Sequence, residues 1–181
     1  LSIGADRNRD LDLLFNVAKL IDYEIILVTT KARILEIKKR WNNFPHNIFV
    51  LLDIPLWDVK KLLAHSKFVV LTVKDNSYSG ATTTLLQAMA MGKAVIVSET
   101  GAIKKGYRLI NGTNCILVAP GDQKGFLKAI RLLWSDRNKV QELGENAKIL
   151  VKEHFFWGAY VDNLCSLFDS LFEKEKQNSW K

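Results

Sequence analysis

Short, nearly solid apolar runs recur along this chain with amphipathic stretches between them, and this alternation limits the fold more than any other feature. Leu1–Ile3, Glu24–Thr29 (EIILVT), Ile48–Leu52, Phe68–Val73 and Ala94–Val97 are too short for helices and too continuous for strands with one wet face. They have the pattern of strands covered on both sides, as in a parallel sheet. Between them the apolar positions follow the helical period. Leu11, Leu14, Phe15, Ala18 and Ile21 mark one helix, and Ile34, Ile37 and Trp41 a second, with Thr30 as its cap. Pro55 is suited to a first helical position, and Leu56, Val59, Leu62 and Leu63 form a face opposite Lys60 and Lys61. Strand and helix alternating in this way predict an α/β fold, with helices on both faces of a parallel sheet and right-handed crossovers. In such sheets ligands bind beyond the carboxyl ends of the strands. Three loops therefore share one edge: Gly4–Asp10, Leu52–Pro55 and Lys74–Thr82.

The stretch Ser79–Ser98 (SGATTTLLQAMAMGKAVIVS) draws these loops together. A small-residue turn of Ser79, Gly80 and Ala81 leads into a helix carrying Leu85, Leu86, Ala88, Met89 and Ala90, which Gly92 stops. The first amides of such a helix have no partner within it, and its dipole adds about half a positive charge there, so an anion can bind without basic side chains. Gly80 permits close approach to the main chain. The hydroxyls of Thr82, Thr83 and Thr84 are further donors, although backbone capping also accounts for them.

Downstream, Glu99–Asn114 is rich in turn formers and is expected to be irregular with a short helix, and Cys115–Val118 to be a last strand. Asp122 and Asp136 cap two helices whose inward residues are Phe126, Leu127, Ile130, Leu133 and Trp134, then Val140, Leu143, Ala147, Leu150 and Val151. The final helix carries a wide apolar stripe (Trp157, Tyr160, Val161, Leu164, Leu167, Phe168, Leu171, Phe172), expected to be core or a seam to another domain, and ends in a charged tail, EKEKQNSWK, expected to fray.

Composition excludes several classes. No apolar run approaches the ~20 residues of a membrane span. Cys115 and Cys165 stand 50 positions apart without metal-ligand spacing and are expected to be reduced packing residues. His46, His65 and His154 are scattered, and no metal site is expected. The net charge of +7 is spread along 181 residues, which suits phosphates or an anionic membrane surface but not nucleic acid, since no dense basic tract occurs. GADRNRD after the first strand is not the GxGxxG of dinucleotide oxidoreductases, and Asp53 and Asp75 lack the lysine partner that a signalling receiver needs. Leu1 is not a natural initiator, so a fragment is expected, and 1–181 reads as one domain.

QAMAMGKAVIV at Gln87–Val97, Thr100–Gly101–Ala102, and NGTNCILVAPGD at Asn111–Asp122 together resemble the carboxyl-terminal, donor-binding domain of the two-domain B-type glycosyltransferases, most closely the large retaining family 4 (glycosyl transferases group 1). That family shows EAMAxGxPVI followed by NGxLVxPGD, with a Glu pair eight positions apart. Here the pair is Ser79 and Gln87, so both carboxylates are missing. The resemblance implies a single Rossmann-like domain of about six parallel strands with added carboxyl-terminal helices. It also implies a nucleotide-sugar site: the base near Leu52–Ile54 with Ile54 against it, the ribose at Gln87, the donor sugar by Ser79, and the diphosphate over Gly80, Ala81, Thr82 and Thr83. Where the family carries two cations on the first loop this chain has Ala5 and Arg9; Arg9 is the expected phosphate contact and Arg7 the second choice. Glu99 and Lys104 lie at the same edge as candidates for the sugar.

The implied function is transfer of a hexosyl group from a UDP- or GDP-sugar to a glycan or lipid-linked acceptor, in the cytoplasm or against the inner face of the cell membrane. No cofactor is expected, the donor being a substrate. The acceptor site would come from an absent amino-terminal domain, so the isolated chain would bind nucleotide weakly and transfer no sugar. The alternative is a non-catalytic nucleotide-binding or interaction module of the same fold that has lost the Glu pair.

Overall fold

A computed structural model describes residues 1–76, 78 and 80–178, with side chains of the last helix described to 173. Six parallel strands form two three-stranded sheets: β1 (Ser2–Ile3), β2 (Ile25–Thr29) and β3 (Ile48–Leu52), and β4 (Val69–Leu71), β5 (Val95–Ser98) and β6 (Ile116–Val118). The inner edges β1 and β4 lie side by side. The Val70 amide donates to the Leu1 carbonyl at 2.8 Å, and the Leu1 amino group to the Phe68 carbonyl at 3.1 Å. Read across this join, the order is β3-β2-β1-β4-β5-β6, so the chain winds outward in one direction, returns, and winds outward in the other. With right-handed crossovers, such reversal puts successive helices on opposite faces.

The strands distribute their residues accordingly. Ile25 and Leu27, with Val70 and Ile96, pack beneath α1 (Leu11–Ala18), α2 (Lys31–Lys38) and α6 (Gln123–Ser135), centred on Phe15 and Phe126. Val28, Val69, Leu71, Val95 and Val97 face α3 (Leu56–His65), α4 (Thr82–Ala90), α5 (Gly101–Gly106) and α7 (Arg137–His154). Burial on both faces is why these strands read as solid apolar runs. Helix starts follow the capping chemistry: Asp10, Thr30, Thr100, Asp122 and Asp136 each accept a backbone amide from the first turn that they precede.

Several expectations change. β4 stops at Leu71 because the chain beyond it turns to the first loop: Val73 pairs with Arg9 in an isolated bridge, and the Lys74 amide donates to the Asn8 carbonyl at 2.8 Å. Pro55 precedes α3 as its cap residue, because its ψ of 152° is extended. Cys115 is buried, but Cys165 is exposed on α8 (Trp157–Asn178). The apolar stripe of α8 is also outward, Trp157 being 77% and Phe172 60% exposed, so this face is not core within the chain. The backbone is helical through Asn178, further into the charged tail than expected, and the rest of that tail, 179–181, lies outside the described residues.

The tightest packing between helices is at Gly144 of α7, where an added Cβ would sit 2.2 Å from the carbonyl oxygen of Gly92, just past α4. That neighbour is main chain and cannot swing aside. Gly144→Ala is therefore expected to destabilise the chain by about 1–3 kcal/mol, read as a lower urea midpoint. Gly101→Ala, with nothing within 4 Å of the new carbon, is expected to stay within about 0.5 kcal/mol of the parent.

Candidate functional site

The crevice beyond the carboxyl ends of β1 and β4 is where the strand order reverses, and two loops meet there. The Gly4–Asp10 loop is anchored on both sides: the Gly4 amide donates to the Val28 carbonyl at 3.0 Å and the Asp10 amide to the Thr72 carbonyl at 2.9 Å. The Thr72 hydroxyl returns a bond to the Asp10 carbonyl at 2.7 Å. Opposite stands the start of α4, entered through Ala81 in the left-handed conformation at φ 70°, a strained setting for a residue with a Cβ. Between them lies a cavity of about 340 Å³, lined by Gly4, Ala5, Asp6 and Arg9 from one side and by Tyr78 and Gly80–Thr84 from the other.

Arg9 is the unusual member. It is 1% exposed, and all three guanidinium nitrogens are buried without a hydrogen-bond partner. Burial pulls its pKa from an ordinary 12.5 down to about 10, opposed in part by the Asp6 carboxylate. It therefore remains charged at neutral pH. The folded value being the lower one, the penalty is fully present below about pH 10 and is relieved only as pH climbs toward 12.5. At ~1.4 kcal/mol per pKa unit, that is a cost on the order of 3 kcal/mol. Gly4 makes room for Arg9: its φ is +148°, and a Cβ there would come within 2.8 Å of Arg9 Nε.

The structure thus brings Arg9, Gly80, Ala81, Thr82 and Thr83 around one cavity. The Gly80 amide is not available to a ligand in this geometry, since it donates to the Tyr78 carbonyl at 2.9 Å. Ala81, Thr83 and Thr84 have no backbone acceptor for their amides among the described residues. Gln87 does not line this cavity. It faces an adjoining apolar groove of about 400 Å³ between α3 and α4, with Leu56, Trp57 and Met91. Ile54 lines neither space; it packs against the core beneath α3 and α4. Ser79 lies outside the described residues. Arg7 is turned away, 86% exposed and paired with Glu36 at 3.3 Å. Glu99 and Lys104 pair with each other at 3.3 Å.

Two residues went unread in the sequence. Asp6 lines the cavity, as does the already named Thr84. Arg33, on α2, holds the first loop from outside the cavity, donating to the carbonyls of Arg9 and Arg7. Among the described residues no three His, Cys, Asp or Glu side chains come together as a metal site, and no helix is long and apolar enough to cross a membrane.

A doubly wound α/β domain with a polar crevice at its strand reversal defines the class: a Rossmann-like domain of the kind that forms the carboxyl-terminal half of B-type glycosyltransferases. Residues 2–136 match the family model for glycosyl transferases group 1, and the chain belongs to that family. An uncharacterized glycosyltransferase of Methanocaldococcus jannaschii is 33% identical over 98 residues, which is 53% of this chain and 24% of that protein. Among solved structures, the sucrose-phosphate synthase of Thermosynechococcus elongatus superposes with a TM-score of 0.78 at 20% identity, over 96% of this chain and 45% of that one. HepE of Anabaena in complex with UDP-glucose superposes with a TM-score of 0.75 at 17% identity, over 93% and 48%. The chain thus spans about a quarter of its curated relative and under half of these two solved neighbours.

Replacing Arg9 by Met removes an uncompensated buried charge while keeping most of the volume. The expected result is an unliganded chain more stable by about 1–3 kcal/mol in urea. Destabilisation by Arg9→Met would mean that the guanidinium already has a stabilising partner.

Proposed function

We propose that this chain is the donor-binding half of a glycosyltransferase that moves a hexosyl group from a UDP- or GDP-sugar to a glycan or lipid-linked acceptor. The observation that carries this reading is the buried guanidinium of Arg9, without a hydrogen-bond partner among the described residues, on a loop that lines one cavity together with the first turn of α4. A diphosphate would satisfy the guanidinium and the amides of Ala81 and Thr83 together, and Thr82 and Thr83 hydroxyls could add donors. Negative charge grows on the diphosphate as the bond to the sugar breaks. Fixed donors at that point stabilise the transition state more than the ground state, and they do so without a metal.

The nucleoside would lie along α4 from the cavity toward Gln87, where the apolar groove offers a surface for ribose and base beside the loop that carries Ile54. Ser79 would sit nearest the sugar. HepE, a structural neighbour solved with UDP-glucose, supports a uridine donor. The acceptor and the groups that finish the site would come from an amino-terminal domain, in the cytoplasm or at the membrane face. With one cation and no carboxylate pair, the chain alone is expected to bind nucleotide in the high micromolar to millimolar range, roughly 4–6 kcal/mol, and to transfer nothing.

Thermal shift with UDP, GDP and ADP tests this reading. A ligand at ten times its Kd adds about 1.4 kcal/mol, a rise of roughly 3–5 °C for a chain of this length, and Arg9→Met is expected to reduce it at the same ligand concentration. No shift with any of the three at millimolar concentration overturns the donor site.

The neutral Ser79 and Gln87 favour a second reading, a module of the same fold that binds nucleotide without catalysis. Restoring Glu at both positions in the full-length protein separates the two. New transferase activity marks a lapsed enzyme; unchanged or lower activity marks a site adapted to neutral residues.

A further inference from the structure

We infer that Arg33 is a positioning residue for the diphosphate, acting through the backbone from which Arg9 projects; the inference rests on the donor-site reading above. Arg33 does not line the cavity. It is itself 6% exposed, and its guanidinium is divided between the main chain of the first loop and the Glu36 carboxylate, with Nε buried without a hydrogen-bond partner among the described residues. Nη2 donates to the Arg9 carbonyl at 3.0 Å and to the Arg7 carbonyl at 3.3 Å. Nη1 donates to the Glu36 carboxylate at 2.8 Å, one turn further along α2.

An arginine is an expensive side chain to enclose, and a surface turn between a strand and a helix needs no such support. Here the loop has main-chain anchors on β2 through Gly4 and near β4 through Asn8 and Asp10, and Arg33 supplies a third anchor from α2. Bonds from an ionised donor are the stronger kind and tolerate little misalignment. They fix the peptide that follows Arg9, and with it the direction in which the buried side chain leaves the loop. They also turn the negative ends of two peptide dipoles toward Arg33, a cation outside the cavity, leaving fewer carbonyl oxygens to repel an anion inside it.

The first turn of α2 is braced in turn. Thr30 Oγ1 accepts the Arg33 amide at 3.2 Å, and the Asp53 carboxylate, from the loop after β3, accepts the Lys31 amide at 3.0 Å. Asp53 holds φ 50°. One helical turn therefore ties the loop that offers Arg9 to the loop beside which the nucleoside is proposed to lie. Nη2 reaches two carbonyls of a loop far earlier in the sequence, which the Nη1 pairing with Glu36 inside α2 does not require.

The test is a double-mutant cycle on the full chain, titrated calorimetrically with whichever of UDP, GDP and ADP the parent binds most tightly. Arg33→Met is expected to lower affinity about tenfold in the parent and less than twofold in an Arg9→Met background, because Arg33 works through Arg9. Arg33→Lys, which keeps the charge with a less suited donor set, is expected to recover part of the loss. Equal losses in both backgrounds, or no loss in the parent, overturn the role. If Arg33→Met does not fold, Glu36→Gln leaves Arg33 in place but frees one end of it, and is expected to weaken binding two- to threefold; unchanged binding then overturns the role. A parent that binds none of the three nucleotides overturns the donor site and this role with it, which separates that failure from one confined to Arg33.

Discussion

The structure depends on the meeting of β1 and β4. Each of the other neighbouring strand pairs belongs to a parallel ladder of three strands, but this pair joins two windings that run in opposite directions. No helix can cover the strand ends at such a join, because the connections leave it to either side. The gap is filled by loops, and loops can bring amides and short polar side chains to a point that helices and strands cannot. The Gly4–Asp10 loop and the entry to α4 are the two that the topology delivers, and what they offer is positive: a guanidinium, a helix start and a row of hydroxyls.

Stability and ligand binding pull against each other at this point. A left-handed Ala81, a Gly4 in a conformation closed to most residues and an arginine without a partner are all unfavourable in the empty protein. Each is held in place by bonds made elsewhere, such as Thr72 with Asp10 and Ser98 Oγ with the Val73 amide. Departures from local rules that converge on one cavity support the donor site proposed above.

Much of the fold was legible because both-face burial leaves a direct trace in residue type. EIILVT, the cap residues Thr30, Asp122 and Asp136, and the helix after Gly80 all read correctly. The start of α4 and Arg9 were also readable, since both belong to a loop that follows a strand. Arg33 was not, because its partners are the carbonyls of Arg7 and Arg9, which every residue possesses and no sequence pattern advertises. The early end of β4 was hidden for a similar reason: Val73 is as apolar as the strand before it, yet its amide is taken by Ser98. Gln87 and Ile54 were assigned to ribose and base by likeness to a motif; Gln87 lines the groove between α3 and α4, and Ile54 is partly buried against the core. Residue spacing along a helix fixes which side a group lies on, but not which of two neighbouring hollows it borders.

The contact between Gly144 and Gly92 reaches further than its own packing. It pins the tail of α4 to α7 through main-chain atoms, so that the helix cannot slide along its axis without driving backbone into backbone. A strut wedged at its foot keeps its head at a constant height. The mouth of α4, which lines the polar cavity, therefore takes its position in part from a packing contact at the helix's other end.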